Sequence, residues 1–165
     1  MTVLIRPAQE SDLPRLTEIY NHYIVNTPIT FDIEPWTVEQ RREWFTHYAL
    51  DGRHRVLVAD DDGVVLGSTW SSQFRPKRAY ETTVETSIYC APEATGRGIG
   101  PLMYESLFEA LDGQPIHRAL AGITVPNEPS VKLHERFGFK RVALFREVGF
   151  KFGTYWDVAW YEKPL

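Results

Sequence analysis

The fold turns on one stretch, Thr83-Val84-Glu85-Thr86-Ser87-Ile88-Tyr89-Cys90-Ala91-Pro92, which continues into Thr95-Gly96-Arg97-Gly98-Ile99-Gly100-Pro101. Its first part is a β-branched and aromatic run that predicts a strand over residues 82–90. Its second part is a glycine cluster leading into Leu102, Met103, Leu107 and Leu111, which share one side of a helix predicted over 101–111. Glycines between a strand and a helix let backbone N–H groups turn toward a ligand, and a helix N-terminus favours phosphate because its orphan N–H groups and its dipole act together. No Lys-Ser/Thr pair follows, so this is not a Walker loop. Pro101 stands where the dinucleotide fingerprint needs its third glycine and suits the first turn of a helix instead. On three glycines alone, a phosphate cradle and a plain flexible connection remain open.

Working outward, Val3 to Ile5 reads as a strand. Ser11 is expected as the N-cap of a helix with Pro14 in its first turn and Leu13, Leu16, Ile19, Tyr20 and Tyr23 at helical spacing. Thr37-Val-Glu-Gln40 has the form of a capping box and starts a second helix carrying Trp44, Phe45 and Tyr48. The runs 55–59 and 64–71 flank Asp60-Asp61-Asp62-Gly63, which is hairpin chemistry. Beyond the central helix come a strand over 119–125, Pro126-Asn127-Glu128-Pro129-Ser130, and a short helix ending at Gly138. Residues 139–162 read as two strands around Gly149 to Gly153. With no repeat, low-complexity tract or linker, the expectation is a single α+β (mixed α/β) domain over residues 1–165.

Composition narrows the partners. The 165 residues hold 18 Lys+Arg against 22 Asp+Glu, a formal charge of −4, and the pI is near 5.7. That balance argues against a nucleic-acid partner bound through phosphate neutralisation. One cysteine cannot form an intramolecular disulfide, and Cys/His pairs for structural zinc are lacking. His22, His47, His54 and His117 show no metal-ligand spacing, so no metal is expected. No apolar run has the roughly 18–20 residues of a membrane span. The N-terminal segment reaches acidic residues too early for a signal peptide. A cytoplasmic protein with no membrane partner is therefore expected.

At Thr95-x-x-Gly98-x-Gly100 the sequence resembles the GCN5-related N-acetyltransferase (GNAT) family, whose acetyl-CoA motif is Gln/Arg-x-x-Gly-x-Gly/Ala; Thr95 departs from its first position. Further features follow in family order: Thr83 to Tyr89 on the preceding strand, Pro126 to Ser130 after the next, and Leu133-His134-Glu135-Arg136-Phe137-Gly138-Phe139 at the end of the following helix. With Ile19-Tyr20-Asn21, Phe74-Arg75 and Gly149-Phe-Lys-Phe-Gly-Thr-Tyr-Trp-Asp157, these resemble the phosphinothricin and methionine sulfoximine acetyltransferase branch over nearly the whole chain. The resemblance implies a central mixed, mostly antiparallel sheet of six to seven strands, splayed at the acetyl-CoA site and flanked by about four helices. It implies that the backbone of Ile88, Tyr89 and Cys90 holds the pantetheine arm and points an N–H at the thioester carbonyl. Gly96, Arg97, Gly98, Ile99, Gly100 and Pro101 would cradle the pyrophosphate, with Asn127 and Ser130 on the far side of the cofactor.

Acetyl transfer to an amine poses two proton problems. The attacking nitrogen must lose a proton that it mostly holds at pH 7, and the departing thiolate must gain one. Glu85, a charged residue on an otherwise Thr/Val/Ile/Tyr strand, is expected as the base; a strand glutamate facing solvent is the alternative. His134, where many family members carry tyrosine, is expected to assist the sulfur, or else to be a packed core histidine. Cys90 could support an acyl-cysteine route, but a small buried residue at a strand end is the better reading. The loop 74–80 is expected to recognise substrate. Phe74, Arg75, Pro76 and Lys77 are the candidates, with Arg75 suited to holding a carboxylate or phosphinate bidentately and Lys77 or Arg78 a solvated turn residue. Thr86 and Ser87 flank Glu85 and are expected to touch substrate. Trp36, Trp44, Trp70, Trp156 and Trp160 read as core or interface packing.

The expected activity is acetylation of the α-amine of a small amino-acid-like substrate by direct attack on acetyl-CoA. The rivals are acetylation of a peptide N-terminus, polyamine or aminoglycoside, and a non-catalytic acetyl-CoA sensor. The resemblance also implies a homodimer in which the loop from Asn26 to Trp36 approaches the partner's site.

Overall fold

The computed structural model describes residues 2–165. Strand β1 (Leu4–Pro7) leads to helices α1 (Leu13–Asn26) and α2 (Val38–Phe45), then to the hairpin β2 (Val56–Asp61) and β3 (Val64–Gln73) and to β4 (Thr83–Cys90). Helix α3 (Ile99–Leu111), strand β5 (Arg118–Val125), helix α4 (Glu128–Arg136) and the hairpin β6 (Lys140–Lys151) and β7 (Thr154–Pro164) complete the chain. The strands form one seven-stranded sheet in the order β1-β2-β3-β4-β5-β7-β6. Every neighbouring pair is antiparallel except β4 and β5. The expected element order and the mixed, mostly antiparallel sheet with four helices are both present.

Several local causes act as the sequence suggests. Thr37 Oγ1 accepts from the Gln40 amide at 3.1 Å, and Gln40 Oε1 accepts from the Thr37 amide at 2.9 Å, closing the capping box of α2. Asp62 and Gly63 take φ of 50° and 88°, the left-handed pair that a two-residue hairpin turn requires. Three details differ. A 3-10 turn over Glu10–Asp12 precedes α1, so Ser11 is not its N-cap; Asp12 instead accepts the Gln9 amide at 2.8 Å and is held by Arg6. Helix α3 begins at Ile99, and its buried face is Ile99, Met103, Tyr104, Leu107 and Leu111, leaving Leu102 exposed. The last hairpin turns at Phe152 and Gly153, with φ of 54° and 70°. Gly149 lies within β6, where a Cβ would collide with the Phe31 ring.

The pairing of β4 decides where a ligand can enter. Its parallel register with β5 holds only from Thr83 opposite Arg118 to Glu85 opposite Leu120. Beyond that point β4 stays with β3 as far as Cys90 opposite Gly67, while β5 stays with β7 as far as Val125 opposite Asp157. The sheet thus opens between its central strands. Buried clusters flank the opening: Leu16, Ile19, Val58, Trp70 and Met103 in one, and Val84, Leu107, Ala121, Ile123 and Phe139 in the other. Among the described residues no helix is long and apolar enough to cross a membrane.

Candidate active site in the splayed sheet

A cavity of about 830 Å³ occupies the opening. Side chains alternate along β4, so Glu85, Ser87 and Tyr89 face the side of α1 and α2, while Val84, Thr86 and Ile88 face α3. Main-chain groups alternate as well. The Ala91 amide donates to Leu66 O at 2.8 Å, and the carbonyls of Ser87 and Glu85 accept the Thr69 and Ser72 hydroxyls, all from β3. The amides of Ile88 and Cys90 therefore point to the opposite edge, from which β5 has departed. The Cys90 carbonyl on that edge accepts the Tyr23 hydroxyl at 2.7 Å.

Glu85 is half-buried and lines the cavity. Burial pushes its carboxyl above the ordinary carboxylate range, and the charge of Arg75 draws it partly back. Thr86, Ser87, Ile88 and Tyr89 line the same cavity, together with Ser72 and Gln73 at the end of β3. Phe74, Arg75, Pro76 and Lys77 stand outside its lining: Phe74 packs against Tyr80 and Trp160, and the exposed Arg75 guanidinium lies 4.7 Å over the Phe74 ring. Arg75 thus reaches the site through its charge on Glu85.

On the other face, His134 is 3% exposed and both of its ring nitrogens are engaged. Nδ1 lies 2.7 Å from the Ser130 carbonyl, which can only accept, so Nδ1 carries the proton. Nε2, 2.7 Å from the Tyr104 hydroxyl, is then an acceptor, and Tyr104 donates to it. Thr86 Oγ1 lies 3.2 Å from the same hydroxyl. Burial holds the His134 imidazole below its ordinary range and the Tyr104 phenol above its own. A neutral His134 in this arrangement has no N–H to offer the cavity. Cys90 is no better as a nucleophile, because burial pushes its thiol up to about 11.

The glycine cluster forms an open helix start. Gly96 and Gly98 both take φ of 76°, a conformation that glycine adopts without strain. Gly98 precedes α3 with no side-chain cap, whereas α2 is capped by Thr37 and α4 by Asn127, whose Oδ1 accepts from the Ser130 amide. The first amides of α3 are thus unclaimed by any side-chain cap, as a phosphate-bearing ligand needs. Ile99 is buried beneath the turn, and Gly100 faces Leu133 of α4. Pro101 sits inside the first turn of α3. Thr95 turns back, donating its hydroxyl to Pro92 O at 2.9 Å, and Arg97 lies 3.8 Å from Asp61. Asn127 and Ser130 line the cavity across the gap from β4.

The sequence matches the family described as the Acetyltransferase (GNAT) domain over residues 5–160. The chain belongs to this family. It is 56% identical over 165 residues to the phosphinothricin N-acetyltransferase of Streptomyces coelicolor, covering 99% of this chain and 96% of that one. It is 32% identical over 165 residues to the L-methionine sulfoximine/L-methionine sulfone acetyltransferase of Pseudomonas aeruginosa, covering 100% and 96%. The structure of the yncA protein from Salmonella typhimurium, solved with its cofactor acetyl-CoA, superposes with a TM-score of 0.95 at 31% identity, covering 100% of this chain and 95% of that one. The splayed seven-stranded sheet is the GNAT fold.

The acetyltransferase cavity also contains residues that the sequence reading set aside. Trp36, Trp44, Trp70 and Trp160 were expected as packing, yet all four line it, along with Tyr20, Tyr48, Ile29 and Phe31. Trp70 stacks on Tyr89 and meets Trp44 edge-on, which makes one wall of the cavity aromatic. The loop between α1 and α2 is held within its own chain: the Lys151 ammonium donates to Thr30 O at 2.8 Å, and Tyr20 donates to Asp32 at 2.5 Å. Tyr104 went unremarked in sequence. Its signal was its place in the Leu107 and Leu111 stripe, where a buried phenol needs a polar partner.

Proposed function

We propose that the enzyme acetylates the α-amino group of a small amino-acid-like substrate of the phosphinothricin or methionine sulfone type, using acetyl-CoA. The observation that carries this reading is the pairing, on one strand, of a desolvated Glu85 carboxyl with the Ile88 and Cys90 amides turned into the opening of the sheet. The names of the relatives support the substrate class, and the acetyl-CoA complex of the structural relative supports the cofactor.

The residues present fit acetyl-CoA. The amides at Gly96 to Gly100 would hold the pyrophosphate, with Arg97 adding positive charge and Pro101 fixing the helix start. Ile88, Tyr89 and Cys90 would hold the arm along the free edge of β4, facing Asn127 and Ser130. The bound molecule supplies an acetyl group activated as a thioester. Glu85 removes the proton from the substrate ammonium group, directly or through one water, and its burial makes it a stronger base than an exposed carboxylate. The Ile88 amide donates to the carbonyl oxygen as negative charge builds there. On the leaving-group side, the Tyr104 hydroxyl spends its proton on His134 Nε2, so this pair shapes the wall of the opening and the departing thiolate takes its proton from water. Arg75, with Phe74, Pro76 and Lys77 beside it, would meet the substrate's anionic group at the cavity entrance, and Thr86 and Ser87 would border the amine.

The reading includes a homodimer. Leu144, Val148, Phe150, Phe152 and Tyr155 leave an apolar strip exposed along the last hairpin, which a second copy would cover. Sedimentation at micromolar concentration is expected to give a dimer, and a monomer would contradict it. The activity itself is tested with a panel of amines, reading free CoA thiol. Turnover of methionine sulfone and phosphinothricin but not of polyamines is expected; turnover of polyamines alone would overturn the substrate assignment.

A further inference from the structure

The aromatic wall of the cavity has a buried positive charge behind it. Arg41 of α2 is 2% exposed, and its guanidinium carbon sits 4.5 Å from the ring centroids of Tyr20, Trp36 and Trp44 alike. Its Nε and Nη2 have no hydrogen-bond partner. Asp32, the carboxylate whose charge reaches Arg41, accepts the Tyr20 hydroxyl instead. Three aromatic faces around a cation form the kind of cage that proteins use to capture a ligand's ammonium group. Here the cage is filled from within, since arginine stays protonated even when buried. All three rings line the cavity and Arg41 does not, so a single layer of rings separates its charge from whatever the cavity holds.

That layer transmits the charge. A ring whose π face is engaged by a guanidinium offers a weakened negative face to the other side, and the residual field of the cation passes through it. A ligand atom resting on the cavity side would lie about 8 Å from the guanidinium. At that separation and an effective dielectric of about 20, a unit charge shifts binding by a factor on the order of ten or more, favourably for an anion and unfavourably for a cation. The wall is also in the right place. Trp70 pairs with Ser87 and Ser72 pairs with Glu85 across β3 and β4, so the rings around Trp70 begin one side-chain step from the proposed base. In an α-amino acid the carboxylate is separated from the amine by a single carbon.

We propose that Arg41 is a specificity-determining residue: acting through Tyr20, Trp36 and Trp44, its buried charge makes the cavity hold an amine that carries an anionic group and turn away one that carries a second ammonium. This rests on the reading of the cavity as the amine site of an acetyltransferase. Arg41 touches no reacting atom in this account, so its effect falls on KM, with kcat and the pH profile unmoved. A purely structural role would lower activity on all amines alike.

The test compares wild type, Arg41→Met and Arg41→Lys on L-methionine sulfone, its primary amide and 1,4-diaminobutane, with thermal unfolding confirming that each variant is folded. Wild type is expected to prefer the acid over the amide by about tenfold or more in kcat/KM. Arg41→Met is expected to reduce that preference about tenfold through KM and to raise turnover of the diamine, while Arg41→Lys keeps the preference within about twofold. Arg75 is common to all three proteins and cancels in the ratio. An unchanged ratio in folded Arg41→Met would overturn the inference, as would a wild type that takes acid and amide equally. If Arg41→Met does not fold, Arg41→Gln takes its place under the same readout: a preference reduced about tenfold in the folded protein supports charge as the cause, and an unchanged preference overturns it. If wild type acetylates none of these amines, the reading of the cavity itself fails, which is a different result from an unmoved ratio on a good substrate.

Discussion

On the α3 face of β4, Thr86 Oγ1, Tyr104 Oη, His134 Nε2, His134 Nδ1 and the Ser130 carbonyl form a chain of contacts between 2.7 and 3.2 Å. On the opposite face, one residue away along the same strand, Glu85 stands half-buried with its carboxyl pushed up by desolvation and opposed only by the charge of Arg75. Both faces bury polar groups in the opening of one sheet. The difference lies in saturation: the Tyr104 chain spends its donors and acceptors on protein, whereas Glu85 keeps its acceptors for something that enters. Saturated polar groups fix geometry, and a desolvated, unsaturated one stores a capacity for proton exchange.

The change that should break this contrast most strongly is Glu85→Gln, which keeps the shape and removes the base. It is expected to lower kcat/KM on methionine sulfone by about 10²–10⁴-fold at neutral pH. The same substitution is expected to leave the protein at least as stable at pH 8. A carboxyl raised above its unfolded pKa binds its proton more tightly in the folded state. Its contribution to stability is therefore full below the unfolded pKa and lost as pH rises through the folded pKa. The melting temperature of wild type relative to Glu85→Gln should accordingly fall as pH increases, by differential scanning calorimetry.

Tyr104→Phe comes next. It strands His134 Nε2 without a donor in a buried site and should cost about 1–3 kcal/mol in urea unfolding. Thr86→Val should cost less than about 1 kcal/mol, since it removes only the longest contact of the chain and keeps the β-branched shape. The smallest effect is expected from Thr95→Gln. Thr95 spends its hydroxyl on the Pro92 carbonyl, so the KM for acetyl-CoA should move by about threefold or less.

Much of the fold was legible because its signals are local. The capping box at Thr37, the turn at Asp62-Gly63 and the strand-glycine-helix passage at 83–101 each depend on neighbours in sequence and appear where expected. The Ser11 cap was misread because Asp12 reaches back to the Gln9 amide and is held by Arg6 from the preceding strand, which closes a 3-10 turn through Ser11 ahead of the helix. The site was legible at Glu85, a charge out of place on its strand, and at the glycines. Its aromatic wall was not. Trp36, Trp44 and Trp70 come from a loop, a helix and a strand, and whether such rings pack or line a cavity depends on where the sheet opens, a property of the non-local pairing of β4 with β5. Tyr104 stayed hidden for the same reason, because its partner His134 arrives from a helix 30 residues later.

The central claim is that Glu85 is the base of an amine acetyltransferase, and the most direct test is the pH dependence of kcat/KM for methionine sulfone in wild type and Glu85→Gln, read as free CoA thiol. The account predicts a wild-type acid limb from a group titrating above the ordinary carboxylate range of about 4.3. It also predicts a variant that has lost both that limb and most of the neutral-pH rate. An undiminished kcat/KM across the pH range in Glu85→Gln would contradict it.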